Sequence, residues 1–322
     1  MKERWQTIIL VFVVLVVAGF TRRVSETEVP AAPLGNMTPD AAGTSKSAPA
    51  GNVSFQRASV VESAIGSSRR APVRLWTVLD PALSAHEGLL YSLDDETALW
   101  SKNATGEWPI ASVVKLLTAV TVMENMGGNK KVAVSEAALT DGGDAGGLKS
   151  GEVYATQDLL KVMLLSSSND AAAVFAEAGG GGAREFVREM QEKAVKMGMA
   201  QTHIDDPAGL SALTVSSPSD LLRLIRYILG NHPQIFTWSR TPQFLVQPLN
   251  DPVSHTVQNI NPLVADARFL GGKTGTLQSA GENFVGVLSF HDRRIAVILL
   301  GSMDRVRDVN LILDWAGRAY TW

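Results

Sequence analysis

Three short segments, far apart in the chain, only make chemical sense if the fold brings them together: Ser112-Val-Val-Lys115, Ser167-Ser-Asn169 and Lys273-Thr-Gly275. Each is common alone, as a solvated helix face, a cap or a turn. In this order they supply a hydroxyl, an amine three residues away, a second hydroxyl, a carboxamide and a second cation. These are the parts of acyl transfer through a serine ester. A fold that uses them must bring a helix start, an interhelical loop and a strand to one cleft.

Local patterns place the three segments on such elements. Leu89–Leu93 and Thr97–Trp100 flank Asp94-Asp-Glu96, which predicts a two-stranded hairpin. A helix is predicted from about Ala111 to Met126, stopped by Gly127 and Gly128. Further helices are expected from Thr156, as a cap, to Leu165, then over Asp170–Ala178, Arg184–Lys196 and Leu221–Leu229. The last starts at Ser217-Pro-Ser-Asp220, a capping serine followed by proline. Lys273–Leu277, Asn283–Phe290 and Ile295–Gly301 read as strands, and a final helix runs from about Arg305 to Arg318. The sum is an α+β fold, an antiparallel sheet of about five strands with a helical block.

The N-terminus predicts export. Lys2 and Arg4 precede an apolar run from Thr7 to Phe20, and Arg22 and Arg23 follow it. The bulky Phe20 makes a poor cleavage site, so residues 1–23 are expected to be a signal or an uncleaved membrane anchor. The rest would then lie outside the cytoplasm. Residues 24–70 are rich in Ala, Ser, Thr, Gly and Pro and cannot bury enough apolar area to offset chain entropy. They read as a disordered linker, leaving 71–322 as the folded catalytic domain. A net charge of -3 gives no basic footprint for nucleic acid, and the chain has no cysteine for disulfides or thiol chemistry. Its five histidines lack zinc-ligand spacing, and no metal or cofactor is expected.

The motif chemistry can be worked residue by residue. Ser112 and Lys115, three apart on a helix, are neighbours on one face. Lys115 can take the serine proton only if its pKa falls far below about 10.4, through burial or a second cation, for which Lys273 is the candidate. Ser167 can relay a proton towards a leaving amine. Asn169 offers a donor and an acceptor to a peptide backbone. Lys273 and Thr274 can hold a terminal carboxylate, and Gly275 lets a ligand approach an edge strand closely. The N–H groups of Ser112 and Thr276 are the expected oxyanion donors.

With these motifs the chain resembles the serine D-alanyl-D-alanine carboxypeptidases, low-molecular-weight penicillin-binding proteins with a β-lactamase/transpeptidase-like fold. Pro109–Ala119, Leu164–Ala172, Phe186–Met190, Lys196–Met199, Asp206–Leu210 and Gly272–Thr276 follow the family's order. The resemblance implies removal of the terminal D-alanine from peptidoglycan stem peptides and acylation of Ser112 by β-lactams. It also implies a lysine base at Lys115, the Ser167–Asn169 pair, and carboxylate recognition by Lys273 and Thr274, without cofactor. Ser168 stands where the family often has glycine, and Gln191 where it often has asparagine.

The rivals are a serine β-lactamase, a D,D-endopeptidase of the same fold and a penicillin-binding wall module without turnover. The first needs a Glu-x-x-Leu-Asn segment to activate water, and this chain has none between Asn169 and Lys273. A nucleotide-binding loop ending at Gly272-Lys-Thr274 is excluded, because position 267 is alanine and a strand pattern follows.

Overall fold

The apolar run Ile295–Leu300 is the central strand of the fold, and its side chains alternate between two cores. Ala296, Ile298 and Leu300 pack towards the helical block, while Ile295, Val297 and Leu299 pack on the other face. A strand buried on both faces loses the polar alternation of a half-solvated one. In the computed structural model, residues 70–139 and 145–322 are described. The anchor expected over 1–23 and the linker expected over 24–70, save Arg70, lie outside them. Among the described residues no helix is long and apolar enough to cross a membrane.

The sheet contains β1 (Glu87–Ser92), β2 (Thr97–Lys102), β3 (Phe269–Leu277), β4 (Gly281–Phe290) and β5 (Arg293–Ser302). All neighbours are antiparallel, in the order β3-β4-β5-β1-β2. The β1–β2 and β4–β5 hairpins fall where the alternation and turn residues predict them. His291 and Asp292 both take positive φ, 48° and 58°, the mirror-image turn that suits strand twist.

Seven α-helices are described: α1 (Lys115–Asn125), α2 (Thr156–Ser166), α3 (Asn169–Ala178), α4 (Gly182–Lys196), α5 (Pro218–Asn231), α6 (Gln234–Ser239) and α7 (Arg305–Ala319). The first six form the helical block on one face of the sheet, which α1, α5 and α6 touch directly. There α1 is buried from Lys115 to Val122, and Phe186, Met190 and Ala194 point inwards from α4. The opposite face is covered by α7 through Val309, Ile312, Leu313, Trp315 and Ala316. Ser217 caps α5 by accepting the Asp220 N–H, as its sequence predicts. Thr156 does not cap α2. Ala155 holds the cap position and the Thr156 hydroxyl donates to Lys130 O at 2.8 Å instead. A ribbon of Gln243–Val246 with His255–Gln258, resting on α2, was not predicted.

Candidate active site

Ser112 lies one turn earlier than a simple helix would place it. Residues Ala111–Val114 form a 3-10 turn, and the α-helix begins only at Lys115. Ala111 has φ +49°, a left-handed conformation that costs an alanine about 1 kcal/mol or more. Positions i and i+3 eclipse in a 3-10 turn. The Lys115 amine is therefore stacked over the serine hydroxyl, with Nζ 2.9 Å from Ser112 Oγ.

The second motif is the corner between α2 and α3. Ser167 ends α2 in the left-handed conformation, φ +59°. Ser168, where glycine is frequent in the resembled family, caps α3 by accepting the Ala171 N–H at 3.1 Å. Asn169 opens α3, and its Oδ1 accepts from Lys115 Nζ at 2.8 Å. Gln191 ties α4 to the next loop, donating to Thr202 O and accepting from Ile204 N.

The third motif lies on β3, an edge strand with no further partner strand among the described residues. Gly272 N donates outwards to Ser239 Oγ at 2.9 Å. Strand alternation then turns the N–H groups of Thr274 and Thr276 to the same open side. Gly275 packs against the 3-10 turn. A Cβ there would lie 2.6 Å from Ile110 O and 3.1 Å from Ser112 N. Lys273 Nζ donates to Ser167 Oγ at 2.9 Å and to Thr274 O at 3.0 Å.

The fold thus joins the predicted residues into a trio, Ser112–Lys115–Asn169, and a pair, Ser167–Lys273, with Thr274, Gly275 and Thr276 along the strand. Both amines are buried: Lys115 is 0% exposed and Lys273 2%. Burial lowers the Lys115 pKa to about 7, against the pull of the nearby Asp206 carboxylate. Lys273 is lowered well below the ordinary lysine range by burial first, then by the charges of Lys115 and Arg305. Of the two causes expected for Lys115, burial or a second cation, burial is the one found. Removal from water dominates, because a charged amine loses its hydration in the interior.

Two participants were not predicted. The carbonyl of Ala208 accepts from Lys115 Nζ at 2.6 Å and lies 3.4 Å from Ser112 Oγ. A backbone oxygen carries no sequence signal. Arg305, at the start of α7, donates to Gly275 O and Asn283 O at 3.0 Å, to Glu282 Oε2 at 3.0 Å and to Thr276 Oγ1. It braces the strand that carries the third motif, and only the tertiary fold brings it there. Among the described residues no His, Asp and Glu cluster could hold a metal ion.

The chain is similar to several known proteins. A D-alanyl-D-alanine endopeptidase of Haemophilus influenzae is 34% identical over 206 residues, covering 62% of this chain and 69% of that protein. A D-alanyl-D-alanine carboxypeptidase structure from Mycobacterium tuberculosis H37Rv has a TM-score of 0.69 at 25% identity, covering 76% of this chain and 96% of the other. Penicillin-binding protein D2 of Listeria monocytogenes, solved in the cefotaxime-bound form, has a TM-score of 0.65 at 26% identity, covering 74% and 99%. A model of the D-alanyl-D-alanine carboxypeptidase family matches residues 76–304, and the chain belongs to that family of serine peptidases.

Proposed function

We propose that the protein hydrolyses the terminal D-alanine of peptidoglycan stem peptides through an acyl-enzyme on Ser112. The observation that carries this reading is the set of contacts on the Lys115 amine. As a free base it has two hydrogens and one lone pair. Asn169 Oδ1 at 2.8 Å and Ala208 O at 2.6 Å take the hydrogens. The lone pair is left facing Ser112 Oγ at 2.9 Å, within reach of the hydroxyl proton.

In this reading Ser112 Oγ attacks the penultimate carbonyl and its proton passes to Lys115. The oxyanion is met by the N–H groups of Ser112 and Thr276. The C–N bond breaks as Ser167 gives its proton to the departing amine and is reprotonated by Lys115, which returns to its free base; water then attacks the ester, and one of its protons goes to Ser112 Oγ as the acyl bond breaks. Lys273 and Thr274 receive the substrate carboxylate, and the open edge of β3 receives its backbone. A β-lactam follows the same first step, its ring opening without a departing group. Residues 1–23 anchor the chain, 24–70 tether it, and 71–322 form the catalytic domain on the outer side of the membrane.

Labelling with a fluorescent penicillin tests the assignment. The wild type is expected to label and Ser112→Ala to remain dark, and label on Ser112→Ala refutes the nucleophile. Release of D-alanine from a pentapeptide then separates turnover from mere acylation. The similarity to the Haemophilus endopeptidase favours a second reading, cleavage of D,D cross-links. Incubation with cross-linked dimeric muropeptides separates the two, since only an endopeptidase yields monomers.

A further inference from the structure

The loop after α4 is organised around one carboxylate that the mechanism above does not use. Asp206 Oδ1 accepts the N–H groups of Ala208, Gly209 and Leu210 at 2.8, 2.6 and 3.1 Å. Its Oδ2 accepts the Ser211 N–H at 2.9 Å and the hydroxyl of buried Thr214 at 3.3 Å. Four successive amides converge on one side chain, so residues 206–211 close into a tight turn. Hydrogen bonds to an ionised acceptor are the stronger kind.

The products of that turn face the reacting groups. Ala208 O meets Lys115 Nζ at 2.6 Å, and Pro207 O accepts from Thr118 Oγ1 at 2.7 Å, one turn further along α1. Gly209, at φ +79°, lies against the Ala111–Ser112 peptide. A Cβ on it would stand 2.0 Å from Ala111 O and 2.8 Å from Ser112 N. The loop therefore grips both the amine and the strained turn that carries the serine.

We propose that Asp206 is a positioning residue for acylation, folding the loop that aims the Lys115 amine at Ser112 and holds the Ser112 peptide in place. The proposal rests on the Ser112 and Lys115 assignment made above. Without this turn, Ala208 O no longer fixes one hydrogen of the amine, and the lone pair is free to rotate away from the hydroxyl. Asp206 also supplies the negative charge that favours the Lys115 ammonium. The other charged groups of the cleft are Lys273 on β3, which feels the charge of Lys115, and Arg305 on α7, which acts on Lys273.

The test is the rate of penicillin acylation of the full chain from pH 5 to 9, normalised to the titre of acylatable sites. Asp206→Asn keeps an acceptor for three amides but loses the charge and the second oxygen. It is expected to lower the plateau rate about tenfold and to move the acidic midpoint to lower pH, because the ammonium loses its counter-charge. Asp206→Glu keeps the charge, so it is expected to slow the reaction with the midpoint near that of the wild type. A plateau within about twofold of wild type in Asp206→Asn overturns the proposal. So does an equal loss in both variants with no difference in midpoint, which assigns the residue to folding alone. Where neither variant folds, Thr214→Val decides: a several-fold slower rate at unchanged melting temperature supports the proposal, and a wild-type rate overturns it. Label surviving in Ser112→Ala removes the underlying site reading whatever Asp206 does.

Discussion

Acylation is expected to switch off with acid as a single titration centred near neutrality. An amine with a pKa of about 7 is about nine-tenths free at pH 8, half free at pH 7 and a tenth free at pH 6. If the free amine takes the serine proton, the second-order rate constant falls about tenfold from pH 8 to pH 6, equivalent to about 1.4 kcal/mol of barrier. A lysine titrating near 10.4 would instead show about a tenfold rise per unit all the way to pH 9, with no plateau. Rapid-mixing measurements with a fluorescent penicillin over pH 5–9 distinguish the two. A rate still climbing at pH 9, or one flat down to pH 5, refutes Lys115 as the proton acceptor. Lys115→Arg is the matching control, since a guanidinium cannot serve as a base near neutral pH, and it is expected to remain unlabelled throughout.

The same burial carries a stability cost with a definite sign. The folded-state pKa of Lys115 lies below its unfolded value, so between about pH 7 and pH 10 the unfolded chain binds the extra proton. Wild-type stability then rises with pH by up to about 1.4 kcal/mol per unit from this group, and Lys115→Met lacks that slope. The stability of Lys115→Met relative to wild type is therefore expected to fall by about 1 kcal/mol from pH 7 to 8 and somewhat more from pH 8 to 9 in urea titrations, and parallel curves contradict it. Gly209→Ala combines positive φ with a contact of 2.0 Å on Ala111 O. It is expected to cost about 2 kcal/mol or more and to slow acylation of the folded fraction, read by melting temperature and labelling together.

The elements were legible because their signals are local. The capping serine and proline at Ser217–Pro218 mark α5, and the apolar runs after Lys273 mark three strands of the sheet. The site residues were legible because a hydroxyl, two lysines and an amide recur in a known order. What failed depended on neighbours far away in sequence. The 3-10 turn follows from Ala111 being held against Gly209 and Gly275, which no helix propensity reports. Thr156 reads as a cap until Lys130 O captures its hydroxyl. The low pKa of Lys115 follows from its complete burial, one of the two causes expected, whose extent the motif alone does not report. The Ala208 carbonyl and Arg305 enter only because a loop and the last helix close on the strand.

The shape of β3 limits what can dock on it. Its first half is blocked: Gly271 lies against the Phe236 backbone, and Gly272 already gives its amide to Ser239 of α6. That leaves Lys273 to Leu277, about 17 Å of free rim at strand spacing. A stretch this brief accommodates the tail of one short peptide. Five residues still make a usable strand, so in the absence of a bound peptide this rim is the place where pairing with another extended chain has to be kept in check.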